Sequence, residues 1–196
     1  MGCRLAIRPS ESGPRANDSD DGGRDASAME LPAKVRHACA EDCDVIARIY
    51  NEGIVERRST FEVEMRSEAD IEDWLASPRY PVLVIERAGA VVGWARVSPY
   101  SPRSCYVGVG EVSVYVRETE RGQGLGSALA MAVQDEAERA RFHKLVGKLF
   151  ADNEPSRRLI ARHGFREVGV HLRHGRLGGH WRDVLVVELL LGQAAG

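Results

Sequence analysis

Six consecutive residues, Arg121-Gly122-Gln123-Gly124-Leu125-Gly126, put three glycines and an arginine where the β-branched run Val112-Ser113-Val114-Tyr115-Val116 gives way to a helical apolar pattern. A strand that turns into a helix over such residues exposes successive backbone N–H groups at the positive end of the helix. Glycine removes the β-carbons that would keep an anion away. The chemistry that fits is phosphate or pyrophosphate binding. The dinucleotide fingerprint needs Gly-x-Gly-x-x-Gly on the first strand with an acid about 20 residues on, and here the spacing is Gly-x-Gly-x-Gly in mid-chain. A Walker loop needs a lysine before its hydroxyl residue, and Gly126-Ser127 lacks one. Taken alone, the cluster reads better as a tight turn without a ligand. Glu111, in the strand that leads into the turn, could face the site as a proton acceptor, although composition alone favours an exposed strand glutamate. His171-x-x-His174 and His37-x-Cys39-x-x-x-Cys43 resemble metal sets. Positions three apart in a strand face opposite sides and neither set has a fourth ligand at a known spacing, so no metal is assigned.

These residues need a scaffold. Apolar positions from Glu41 onward recur at helical spacing through Val45, Ile46, Ile49 and Ile54, with acids at the start that suit the helix dipole. Ser67-x-x-Asp70 reads as a capping box before a shorter second helix that Ser77-Pro78 stops. Residues 82–86 and 91–98 are β-branched runs joined by a four-residue turn, which predicts an antiparallel hairpin. Residues 107–116 form a longer strand, where Gly108 and Gly110 imply a bulge or a close backbone approach. A helix to about residue 141 follows the glycine turn, then a buried strand over 144–150. Asn153 caps the next helix, Gly164 ends it, and strands over 165–172 and 183–191 close the chain. The order implies an α/β fold with a mixed sheet and at least one parallel crossover.

Composition bounds the function. The 196 residues suit one folded domain, expected over 34–192, and residues 1–33 are rich in Ser, Gly, Asp, Arg and Pro with neither hydrophobic period, which predicts a disordered extension. A start assigned too far upstream, with Met29 as the true one, is an open alternative. A net charge of -2 gives no support to nucleic-acid binding, and no apolar run reaches the length of a membrane span. Four cysteines without a Cys-x-x-Cys pair fit a reducing, cytoplasmic setting.

Arg121-x-x-Gly124-x-Gly126, together with Asn153-x-x-Ser156 and His163-Gly164-Phe165, resembles the GNAT superfamily of N-acetyltransferases. The resemblance runs from about residue 35 to 191. It implies a mixed central sheet splayed around acetyl-CoA, with helices on both faces. In that fold the pyrophosphate lies on residues 121–127 (Arg121, Gly122, Gln123, Gly124, Leu125, Gly126, Ser127). The backbone of Val114, Tyr115 and Val116 pairs with the pantetheine arm, and Asn153 and Ser156 contact it. Ile49-Tyr50-Asn51, Ser59-Thr60-Phe61-Glu62, Glu111-x-Ser113-Val114-Tyr115-Val116 and Gly179-His180-Trp181-Arg182-Asp183 are similar to the phosphinothricin acetyltransferase branch. Residues 93–100 and 168–176 resemble arsinothricin acetyltransferases.

That resemblance makes Glu111 the catalytic base and Arg103 the grip on an oxyanion head, with Tyr106 and Phe61 as pocket walls and Arg96 and Arg173 as further cations. It implies a homodimer whose last strands and 175–182 loop help close the site. The tyrosine that serves many GNAT enzymes as general acid, and the histidine of this branch, both fall near Ile160, so neither donor exists here. Tyr115, a water, or unassisted departure of the thiolate are the remaining options. The expected reaction is acetylation of the α-amine of a toxic glutamate analogue. Alternatives are another small amine, such as methionine sulfoximine or sulfone, a polyamine or an antibiotic, and, in a different class, a non-catalytic acyl-CoA sensor.

Overall fold

The computed structural model describes residues 33–195, so the expected extension lies outside the described residues but for its last position. The chain runs β1 (Lys34–His37), a 3-10 turn (Ala40–Asp42), α1 (Cys43–Glu56), α2 (Glu68–Leu75), β2 (Val82–Arg87) and β3 (Ala90–Pro99). After a 3-10 turn (Ser104–Tyr106) come β4 (Val109–Val116), α3 (Leu125–Arg139), β5 (Lys144–Phe150), α4 (Glu154–Arg162), β6 (Arg166–Leu177) and β7 (His180–Leu190). The sheet order is β1-β2-β3-β4-β5-β7-β6, and β4 with β5 is its parallel pair. The predicted mixed α/β sheet is present.

Local signals act as read. Ser67 accepts the Asp70 N–H while Asp70 accepts from Ser67, so both orphan donors at the start of α2 are satisfied. The first helix begins with the 3-10 turn, and its Asp42 is buried. That carboxylate takes two bonds from Arg36 of β1, at 2.6 and 2.9 Å, and one from the Cys39 N–H at 2.8 Å. The arginine hydrogen bonds hold its pKa down to about 2.

Alternation along β2 and β3 builds two cores. Leu83, Ile85, Ala95 and Val97 meet α3 on one face, while Val82, Val84 and Trp94 meet α1 and α2 on the other. Helices therefore cover both faces. β4 stays paired with β3 as far as Gly93 opposite Val116, but pairs with β5 only at residues 109–111. Beyond Glu111 the two parallel strands part, leaving a wedge between residues 112–116 and 147–150. Gly110 shows why the first half of β4 must lack side-chain bulk: a β-carbon there would overlap Val97 Cγ1. The β3–β4 register is unbroken, so the glycines mark close approach rather than a bulge.

Four readings need correction. β1 carries no strand signal in the sequence, because four residues are too few for a period. The strand expected over 107–116 starts at Val109. β6 and β7 extend to Leu177 and from His180, so the expected loop over 175–182 is a hairpin turning at Gly178 and Gly179, whose φ are 57° and 84°. β6 also carries a register irregularity between His171 and Gly175, with Arg173 at φ 51°. It breaks the strand period that set His171 and His174 on opposite faces, and their rings lie 4.7 Å apart.

Candidate active site

The wedge is lined along its length from the glycine turn at one end to Glu111 at the other. Gly122 and Gly124 adopt φ of 80° and 81°, a left-handed backbone that glycine accepts without strain, and nothing lies within 4 Å of where their β-carbons would be. The first bonds into α3 run from the Ser127 and Ala128 N–H groups to the Gly124 carbonyl, and no side chain caps the helix. The preceding amides are left for a ligand, which fits an anionic group at this N-terminus. A cavity of about 310 Å³ opens there, bounded by Gly122, Gly124, Gly126 and Ser127 on one side and by Arg158 and Arg162 of α4 on the other. These two arginines escaped the sequence reading, since a helix-surface arginine carries no local signature.

Not every loop residue faces this space. Leu125 is buried in the core, and the Gln123 side chain binds Arg87, so any part they take in binding runs through their backbone. Arg121 lines the cavity while bonded bidentately to Glu56 at 2.9 and 2.8 Å, and its Nε donates to the Val116 carbonyl. Asn153 Oδ1 accepts the Ser156 N–H at 3.2 Å as the cap of α4, and its Nδ2 donates to the Arg58 carbonyl at 3.1 Å. Both residues reach the narrow inner cavity, about 110 Å³, between Val114 and Tyr115 on β4 and Gly147 to Leu149 on β5. A groove between parting strands, with an amide cradle and cations at its mouth, fits the long arm and pyrophosphate of a coenzyme.

Glu111 stands where the strands part, paired to Ser98 on β3 and Val146 on β5. Its Oε2 accepts a bond from Lys148 Nζ at 2.7 Å. Sequence reasoning missed Lys148, although a lone charge inside an apolar strand was a signal. Tyr50, Phe61, Lys148 and His174 join Glu111 around a cavity of about 290 Å³. Phe61 is the expected wall, edge-on to Phe150 at 4.8 Å and pressed on Gly175, where a β-carbon would come within 2.7 Å of its ring. Tyr115 stacks on Trp94 at 4.6 Å, and burial pushes its phenol far up, so it stays protonated and can only donate that proton or hold it. A second cavity, also about 290 Å³, lies beyond Glu111 and contains Arg96, Arg66, Ser98 and Ser113. Burial lowers Arg96 to about 10, which leaves it cationic at neutral pH.

Three predicted substrate residues stand apart from these cavities. Arg103 and Tyr106 are exposed on the turn after β3, where Tyr106 packs edge-on against Tyr100 at 5.6 Å and Lys148 Nζ lies 5.7 Å from the Tyr100 ring. Arg173 is exposed on β6, its N–H bound to Asp183 Oδ1.

The profile of the Acetyltransferase (GNAT) family matches residues 46–165. The chain belongs to that family. This GNAT acetyltransferase is 31% identical over 161 residues to the phosphinothricin N-acetyltransferase of Streptomyces coelicolor, spanning 79% of this chain and 94% of that protein. It is also 31% identical over 165 residues to the L-methionine sulfoximine/L-methionine sulfone acetyltransferase of Pseudomonas paraeruginosa, covering 82% and 96%. The structure of a GNAT superfamily phosphinothricin acetyltransferase from Sinorhizobium meliloti, in complex with AcCoA, aligns with a TM-score of 0.77 at 28% identity over 82% of this chain and 89% of that one. No group of three or more His, Cys, Asp or Glu placed to hold a metal exists among the described residues, and none of their helices is long and apolar enough to cross a membrane.

Proposed function

We propose that this enzyme transfers the acetyl group of acetyl-CoA to the α-amine of a small amino acid with an oxyanion head, a toxic glutamate analogue of the phosphinothricin or arsinothricin type. The observation that carries the reading is the position of Glu111. It sits between the narrow groove suited to a thioester arm and two cavities lined by cations. Acetyl-CoA supplies an activated acyl carbon. The acceptor ammonium first gives a proton to Glu111 directly or through a water; the freed amine attacks that carbon, the N–C bond forms, the C–S bond breaks, and the proton remaining on nitrogen passes to solvent, from which the departed thiolate is protonated. The thiolate leaves without a donor at Ile160, which the modest basicity of a thiol permits. Neutralising the α-amine removes the charge by which such a toxin imitates an amino acid.

Gly122, Gly124, Gly126 and Ser127 hold the pyrophosphate, and Asn153 and Ser156 face the pantetheine arm beside Val114, Tyr115 and Val116. Of the candidate acceptor residues, Arg96 and Phe61 line the cavities at Glu111, whereas Arg103, Tyr106 and Arg173 stand outside them. The enzyme works in the cytoplasm as a homodimer. The apolar side chains exposed on the last hairpin, Val168, Val170, Leu172 and Trp181, support that assembly. A panel of amines tested for release of free thiol from acetyl-CoA decides the acceptor, and absence of turnover with every glutamate analogue bearing a tetrahedral head would sink the proposal. The relatives named for methionine sulfoximine and sulfone favour a second reading, in which the acceptor head is neutral.

A further inference from the structure

Arg96 is a cation without a counter-charge. It lies on β3 between Trp94 and Ser98, and the unbroken register sets Trp94, Arg96 and Ser98 opposite Tyr115, Ser113 and Glu111 of β4. All six residues share one face, so Arg96 is one diagonal step from Glu111. Its guanidinium carbon lies over the Trp74 ring, 3.9 Å from the centroid. Yet it makes no hydrogen bond or ion pair among the described residues, although it is largely out of solvent.

The surroundings do not supply the missing anion. Glu111 is bound to Lys148 and Glu62 to Arg66, at 2.7 and 2.9 Å. Arg66 adds a second positive charge to the same cavity, and its buried Nε has no partner. It is held there deliberately by the fold: Asn51 of α1 accepts the Arg66 N–H at 2.8 Å and donates to the Arg66 carbonyl at 2.9 Å. Two guanidinium groups thus share a cavity with hydroxyls of Ser98 and Ser113, with two carboxylates already engaged. Burying a charge without a partner is costly, so a site of this build is completed by an anion from outside.

We infer that the cavity under Arg96 and Arg66 is a subsite for the anionic head of the acceptor, separate from the exposed Arg103, and that Arg96 is a specificity-determining residue. It rests on the acetyltransferase reading above. An amino acid whose ammonium meets Glu111 and whose acidic head reaches Arg96 spans the two cavities, which share Tyr50, Glu62, Glu111 and Ser113 as common walls. Planar paired donors suit a phosphinate, arsonate or carboxylate better than a sulfone.

The experiment compares kcat and KM for phosphinothricin, with its anionic head, and methionine sulfone, with its neutral one, in the unaltered enzyme, Arg96→Gln and Arg96→Lys. KM for phosphinothricin should rise by about ten- to a hundred-fold in Arg96→Gln, the loss expected for a charge-assisted hydrogen bond. KM for methionine sulfone and for acetyl-CoA should move little. Arg96→Lys, which keeps charge and volume, should fall between and guards against a failure to fold. An unchanged preference in both variants overturns the subsite while leaving the acetyltransferase standing. Equal losses on both acceptors also overturn it, because Arg96 would then hold the α-carboxylate that both share. No turnover of either acceptor by the unaltered enzyme overturns the acceptor reading itself.

Discussion

Replacing Glu111 by glutamine removes a proton acceptor and changes little else. The carboxylate has one side-chain partner, Lys148 at 2.7 Å, and the two side chains are 30% and 43% exposed. An ion pair that open to water contributes at most about 1 kcal/mol, so the melting temperature should fall by no more than about 2–4 °C. The backbone is untouched, since Ser98 Oγ donates to the Glu111 carbonyl rather than to its side chain. The chemical step should lose far more. General-base catalysis is worth about 10²- to 10⁴-fold, or about 3–5 kcal/mol of barrier. The α-ammonium of a free amino acid is almost wholly protonated at pH 7, so very little of the acceptor is free amine there. In the variant, kcat/KM should therefore climb nearly in step with hydroxide from pH 7 to 8, because solvent must do what Glu111 did. Stopped assays of thiol release across that range, with KM for acetyl-CoA as a control, read both effects. A variant with kcat within about three-fold of the parent at pH 7, or with the same pH profile, would show that Glu111 is not the proton acceptor.

Gly124→Ala forces alanine into φ 81°, where no atom obstructs the new methyl. The cost is backbone strain of about 1–2 kcal/mol, read as a lower melting temperature, and displaced amides should raise KM for acetyl-CoA with kcat for bound substrate nearly kept. Asp42 tests acid stability. Its pKa is held near 2 against 3.8 for an unperturbed aspartate, so its contribution is complete above about pH 4 and is lost as pH falls towards 2. Asp42→Asn should remove about 2 kcal/mol in urea melts at pH 7 and much less at pH 3; an equal loss at both would refute the Arg36 linkage. Leu172→Arg, at a site 76% exposed, should convert the proposed dimer to monomer in light scattering without unfolding it. A parent protein that is itself monomeric would dispose of the dimer.

Every feature that could be read directly along the chain involves groups a few residues apart. The Ser67–Asp70 capping box, the Asn153 cap on Ser156 and the left-handed Gly164 after α4 are all present, because a short stretch of backbone satisfies its own hydrogen bonds and φ preferences whatever surrounds it. The family's donor loop was legible for the same reason. Sequence motifs also named Glu111 and Phe61, and both line the site.

What tertiary structure decided is which distant side chains meet. Lys148 reaches Glu111 across 37 positions, and Arg66 enters the Arg96 cavity only because Asn51, 15 residues away, fixes its backbone. His174 turns to the active-site cavity through a strand irregularity that no periodicity foretells. Along one chain, charge and spacing establish a coenzyme groove at a helix start. The acceptor side depends on strand register and on where β4 leaves β5, set by packing between residues far apart in sequence, and so it becomes visible only in the folded sheet.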